Sequence, residues 1–292
     1  MKAGKGELWI AVSIAGFAVS DLFDRVAMFE TSAILGTLIK CSIILLFGIC
    51  IHLISGEKYR FSKYFVISGI VSELLGSAFF MYGLKFGVSV VLPMIQTQVI
   101  WTAIFSYFIL KERLAGRGFL PGIIALVVGL IILTYGRYGY SPTDRWYLGA
   151  ILGTLASVGW GCGAVMWKRG QIAGVSPSSG IVTHYLTAVI ALGIISVGGG
   201  LLIPIQVSGG DLFNLGIAAL LDGVLGMYAL MASLRYISAT RAQSLKSFYP
   251  VIACVLAWFI IRDPLNWQML LGICIATAGV ILIERGGRGD KD

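Results

Sequence analysis

The stretch 120-LPGIIALVVGLIIL-133 comes back, 150 positions later, as 270-LLGICIATAGVILI-283. Both copies are apolar along almost their whole length. Both carry glycines seven apart, Gly122 and Gly129 in the first, Gly272 and Gly279 in the second. Upstream the echo continues. The turn 109-ILKERL-114 meets 260-IIRDPL-265 at an offset of 151. Likewise 76-GSAFFMYGLKFG-87 meets 226-GMYALMASLRYI-237 at an offset of 150, with Gly76 on Gly226, Leu84 on Leu234 and Lys85 on Arg235. The chain of 292 residues is written twice from one unit.

Composition says where that unit belongs. Hydrophobic residues make up 58% of the chain and charged residues 12%, with a mean hydropathy of +0.90. Soluble domains carry about 25% charged residues, so no room is left for a sizeable soluble domain. The chain reads as an integral membrane protein. A spanning helix needs about 20 mostly apolar residues, and ten runs qualify: 7–26, 31–54, 63–85, 88–110, 117–136, 146–168, 178–204, 212–235, 238–261 and 265–284. The expected fold class is an all-α membrane protein of ten transmembrane helices in two five-helix repeats. The repeats cover 1–136 and 146–284, joined by the loop 137–145 (RYGYSPTDR) and followed by a tail at 285–292. Five is odd, so the second copy enters the membrane upside down relative to the first. That is the inverted repeat of many secondary transporters, whose substrate sites lie near the midplane between the repeats. The N-terminal run mimics a signal peptide, but Asp21, Asp24 and the lack of a small-residue cleavage site mark a retained first helix.

Charge sets the orientation. With the N-terminus inside, fifteen Lys and Arg fall on cytoplasmic segments and five, Arg25, Lys85, Arg137, Arg145 and Arg262, on outer ones. The positive-inside rule demands that direction, so both termini are expected in the cytoplasm. The net charge of +8 then reflects topology, not a nucleic-acid partner. The partner is the lipid bilayer of a plasma membrane, the inner membrane of a prokaryote.

Ten spans, the five-plus-five repeat, and a short acidic turn closing the fourth and ninth spans (Lys111-Glu112-Arg113-Leu114 and Arg262-Asp263-Pro264-Leu265) resemble the drug/metabolite transporter superfamily. The match is to its EamA-like branch, over nearly the whole chain. The resemblance implies a secondary transporter of small polar metabolites that works by alternating access. Export of amino acids is the leading activity it implies, on the pattern of the amino acid exporters in that branch. Permeases for choline, other organic cations or drugs, and exchangers of phosphorylated sugars, are further members.

An ionisable group inside a span costs about 2.5–3.5 kcal/mol on insertion and tends to face a cavity. Lys246, in 243-QSLKSFYP-250, lies about 12 Å into its span at 1.5 Å per residue. Gln243, Tyr249 and Pro250 fall on its helix face, and Pro250 frees the Lys246 carbonyl. That face suits a substrate carboxylate; an internal ion pair is the bland alternative. At the repeat offset Lys246 falls on Gln96 in the polar run 96-QTQ-98, so Gln96 is expected at the same cavity. Glu73 and Asp222, 149 apart, sit at the centres of the third and eighth spans. They are candidates to carry a proton, to bind a substrate ammonium, or to neutralise Lys40 and Lys246. Lys40 is either a charge partner of Glu73 or Asp24 or a site residue. His184, with an unperturbed pKa of about 6.5, is either a proton carrier or a hydrogen-bonded packing residue. Asp21, Asp24 and Arg25 read as an interfacial cluster or outer gate.

Trp101, Trp160 and Phe80 are deep enough to wall a cavity, the two tryptophans as cation–π partners. Trp9, Trp146, Trp167 and Trp267 fit an interfacial belt. The recurrent glycines, with Gly149, Gly153, Gly159 and Gly163 on the sixth span, let helices approach closely; a monomer and a homodimer both fit. Five cysteines stand singly in apolar spans, where they act as small hydrophobes, so no disulfide and no metal is expected, and no cofactor. There is no G-x-x-x-x-G-K-[ST] sequence for direct ATP drive and no H-E-x-x-H for an intramembrane enzyme. A channel-like facilitator remains as another class.

Overall fold

The computed structural model describes residues 2–28, 31–112, 118–137, 145–199, 207–246, 248–262 and 265–286. Within them every regular element is helical. The first half supplies α1 (Lys2–Ala27), α2 (Ala33–Ser55), α3 (Lys63–Leu84), α4 (Val88–Ile95), α5 (Gln98–Leu110) and α6 (Phe119–Arg137). The second supplies α7 (Trp146–Ile172), α8 (Pro177–Gly198), α9 (Gly209–Ser233), α10 (Ala239–Lys246), α11 (Tyr249–Ile260) and α12 (Trp267–Gly286). Six of these, α1, α2, α3, α7, α8 and α9, are each long and apolar enough to cross a membrane. Local signals set their ends. Ser32 and Ser176 cap α2 and α8 by accepting from backbone N–H groups, and Ser208 with Asp211 forms a capping box on α9.

Two runs expected to be single spans, 88–110 and 238–261, are each broken in two. α4 stops at Ile95 and α5 starts at Gln98; α10 stops at Lys246 and α11 starts at Tyr249. The first break has a polar cause. Thr97 Oγ1 donates to the Met94 carbonyl at 2.8 Å and shares a 2.7 Å hydrogen bond with Ser157 of α7, competing with the helical ladder. At the second break a proline sits in the first turn of α11, where its missing N–H is harmless.

The repeat shows in finer features too. α3 widens into a π-helical stretch at Val71–Ser77, and α9 does so at Leu220–Met227. Such widened turns re-aim the side chains they carry and recur at functional sites. Glu73 lies in the first and Asp222 in the second. Lys111 and Arg262, just past α5 and α11, both take the left-handed conformation, with φ of 59° and 56°, which residues bearing a Cβ seldom adopt.

The halves interlock. α1 packs on α9, α10 and α11, and its counterpart α7 packs on α3, α4 and α5. α2 lies along α8, and α6 along α12. At this last pair a Cβ on Gly122 would fall 2.6 Å from the Gly279 carbonyl oxygen, and one on Gly279 would fall 2.6 Å from that of Gly122. Gly129 and Gly272 are related in the same way, again at 2.6 Å in each direction. Only glycine permits backbones that close.

The surface is apolar and the interior partly charged. Leu53, Ile54, Phe108, Ile131, Ile194 and Phe213 point outward, while Asp24, Lys40, Glu73, His184 and Lys246 are buried. Water would favour the reverse; lipid favours this. Trp167, expected in an interfacial belt, is fully buried, its ring 4.5 Å from Phe65 and 5.3 Å from His184. α7 runs on to Ile172, so Trp167 lies more than a turn inside its end.

Candidate functional site

The two widened turns, the two breaks and one face of α1 converge on a central cavity. Asp21 and Phe17 of α1 and Lys40 of α2 line one side of it, with Gln98 at the first break and Lys246 and Tyr249 at the second. Glu73, Phe80, Trp160 and Asp222 also line it. The cavity volume is about 70 Å³, room for several waters at roughly 10–15 Å³ for each.

Its ionisable groups sort by partner. Lys40 Nζ donates to Asp24 and to Asp222 Oδ2, the latter at 2.6 Å, and to Ser20 Oγ at 3.3 Å. Glu73 Oε1 lies 3.0 Å from His184 Nε2, and the Cys41 thiol donates to Glu73 Oε2 at 3.4 Å. His184 Nδ1 lies 3.1 Å from Ser68 Oγ. Two groups remain. Among the described residues no carboxylate lies within ion-pair distance of Lys246. Its ammonium sits instead among aromatic faces, 4.5 Å from the Phe17 centroid and 5.5 Å from those of Trp160 and Tyr249. Asp21 is 5% exposed, and among the described residues its Oδ2 has no hydrogen-bond partner.

Magnitudes show how uneven that is. A cation over an aromatic face gains about 0.5–2 kcal/mol. Removing one partner of a buried ion pair costs roughly 3–5 kcal/mol, because the other charge is left uncompensated. The aromatic box therefore offsets only part of the cost of burying Lys246. Among the described residues, Lys246 and Asp21 of this cavity each lack a counter-ion contact.

Sequence reasoning placed several of these residues together, and the structure brings Lys246, Tyr249, Trp160, Phe80, Glu73, Asp222 and Lys40 to one cavity. His184 stands one layer behind, joined through Glu73. The Gln243 side chain lies outside the described residues. Gln96 is buried but not in the lining; the break between α4 and α5 re-phases the chain, and Gln98 faces the cavity instead. Trp101 also stands outside the lining, its Cβ against Gly161 of α7. Glu73 pairs with His184 and not with either lysine.

Asp21 and Asp24 are the main correction. They form no interfacial cluster: Asp24 is fully buried on Lys40, and Asp21 lines the cavity. Depth along α1 did not decide this; direction did. Ser13, Phe17, Ser20, Asp21 and Asp24 recur at helical spacing on the face turned to α2 and α9, and the long stem of Lys40 reaches that face. The run of Ser and Asp at i+3 and i+4 was the available signal.

Comparison with known proteins gives the family. The model of the EamA-like transporter family matches residues 4–135 and again 147–285. The chain belongs to that family and is a multi-pass membrane transporter built from two family repeats. One solved crystal structure superposes with a TM-score of 0.73 at 17% identity, covering 99% of either chain. At that identity the likeness is one of fold. No curated protein matches the chain.

Proposed function

We propose that this member of the EamA-like transporter family is a secondary transporter of small zwitterionic metabolites, amino acids first among them. It exports them across the plasma membrane of a prokaryotic cell. The observation that carries this reading is the placing in one cavity of Lys246 and Asp21, which among the described residues have no ion-pair contact. An α-amino acid brings both complements on one carbon. Its carboxylate meets Lys246, its ammonium meets Asp21, and its side chain lies against Phe80, Trp160 and Tyr249. Each contact ends the isolation of a buried charge, which is where the binding energy comes from. The ions already satisfied, Lys40 with Asp24 and Asp222, hold α1, α2 and α9 in register.

Movement is the other half of the function. Inverted repeats with broken helices at the site support rocking of the halves about a fixed midplane cavity. This reading takes ten spans with both termini in the cytoplasm.

The test is counterflow. Proteoliposomes loaded with an unlabelled amino acid should take up the labelled one saturably, as a carrier does and a simple pore does not. Lys246→Met should abolish that uptake and leave a folded protein; undiminished counterflow by this variant would sink the site assignment. The aromatic box around Lys246 favours a second reading, a permease for choline or another organic cation. In that case choline outruns amino acids in counterflow, and Lys246→Met keeps or raises its transport.

A further inference from the structure

Each half seats one aromatic ring in the cavity wall, and does so in the same way. α1 carries the dipeptide Gly16-Phe17, and its counterpart α7 carries Gly159-Trp160. The two stand 143 positions apart, so the 150-position echo does not pair them. Their packing does. A Cβ on Gly16 would fall 2.6 Å from the Leu221 carbonyl oxygen and 2.8 Å from the Gly226 nitrogen. A Cβ on Gly159 would fall 2.9 Å from the Val71 carbonyl oxygen and 2.6 Å from the Gly76 nitrogen. Val71 and Leu221, like Gly76 and Gly226, are 150 apart within the widened turns of α3 and α9. α1 and α7 therefore dock on equivalent backbone, each through a glycine. Each then lays the ring of its next residue on the glycine of the widened turn.

The two seats differ in room. A Cβ on Gly226 would lie 3.0 Å from Phe17 Cδ1, and one on Gly76 would lie 2.5 Å from Trp160 Nε1. Non-bonded heavy atoms pack at about 3.5–4.0 Å, so a methyl would drive the indole back by about 1 Å and the phenyl by about half that. Trp160 is also tied to α3, its Nε1–H donating to Ser77 Oγ at 3.3 Å. Both rings line the cavity, and both face the Lys246 ammonium, at 4.5 Å for Phe17 and 5.5 Å for Trp160. The glycines that join α6 to α12 meet backbone across the contact; Gly76 and Gly226 meet rings. Filling the first kind of gap prises helices apart, and filling the second re-aims a side chain.

We propose that the glycine of each widened turn is a positioning residue for the cavity: Gly76 seats Trp160, Gly226 seats Phe17, and together they set how large a substrate side chain the site admits. Neither glycine touches substrate. The absence of a side chain lets each ring lie back against α3 or α9, and that leaves the cavity its width. A methyl at either position moves its ring off the backbone and into the cavity. The selection by size rests on the zwitterion reading; the seating of the rings does not.

The chain has seven tryptophans, so labelling with 5-fluorotryptophan gives a fluorine spectrum in lipid bilayers in which Trp160→Phe assigns one resonance. Gly76→Ala should shift that resonance and leave the others in place. In proteoliposomes, counterflow of phenylalanine relative to alanine should fall roughly tenfold in Gly76→Ala, what about one methylene is worth in an apolar pocket. Gly226→Ala should lower the same ratio by less. A glycine needed only for helix packing would slow both amino acids alike and leave their ratio where it was. If Gly76→Ala alone does not fold, it should fold once Trp160→Ala has taken the ring away. An unmoved Trp160 resonance, an unchanged ratio, or failure to fold in both backgrounds overturns the proposal. A native chain that carries neither amino acid sinks the zwitterion reading, and the fluorine shift then decides the seating of Trp160 without it.

Discussion

The two halves put a carboxyl on the same backbone device and give it different company. In α3 the widened turn carries Glu73, 3.0 Å from the His184 ring nitrogen Nε2. In α9 the equivalent turn carries Asp222, 2.6 Å from a lysine that Asp24 also holds. The first carboxyl faces an imidazole, the second a lysine ammonium. The breaks differ in the same way. Neutral Gln96 stands at the first and Lys246 at the second. Duplication copied the backbone, with its glycine contacts, widened turns and broken helices. Divergence of side chains then gave the two halves different charges around the cavity.

The contrast between the two carboxyls can be broken first at Lys40. Lys40→Met leaves the fully buried Asp24 and the partly buried Asp222 without their shared cation, and should cost on the order of 3–5 kcal/mol in thermal unfolding. His184→Gln should cost clearly less, because the glutamine amide still offers a hydrogen-bond donor to Glu73. Equal losses would erase the distinction. The symmetric part of the comparison is sharpened at the helix pair α6 and α12. Gly129→Leu and Gly272→Leu should each cost about 1–3 kcal/mol by overpacking, and by similar amounts, since each Cβ meets the other's carbonyl oxygen. A large inequality in their melting temperatures would deny that the contact is reciprocal. Thr97→Val tests the first break. It removes the hydrogen bond to Ser157 and should cost about 0.5–1.5 kcal/mol. The smallest effect runs the other way. Gly193 of α8 has open space where its Cβ would be, so Gly193→Ala should stabilise by roughly 0.5–1 kcal/mol in the same melts.

Much of this architecture can be read from residues alone, because a membrane imposes a simple code. Apolar runs of fixed length are countable, and a 150-position echo such as Gly122 on Gly272 survives in the letters. Lys246 and Glu73 stood out because charge inside an apolar run is costly. What could not be read is direction. A helix tells how deep Asp24 lies but not which neighbour it turns to, so its bond to Lys40 was one of two options. Widened turns leave no mark in hydropathy, and a break that re-phases the chain exchanges Gln96 for Gln98. Trp167 was misjudged by the few residues that separate an estimated helix end from the observed one.

The claim that Lys246 and Asp21 read the two ends of one zwitterion meets its most direct test in ligand-induced thermal stabilisation. Three compounds are compared: an amino acid, the amine left when its carboxyl is removed, and the acid left when its amine is removed. At about 100 times its dissociation constant the amino acid should stabilise the native chain by roughly 2.7 kcal/mol, and the other two far less. Lys246→Met should level the amino acid with its amine, and Asp21→Asn should level it with its acid. If the amine alone stabilises the native chain as well as the amino acid does, Lys246 reads no carboxylate and the account is wrong.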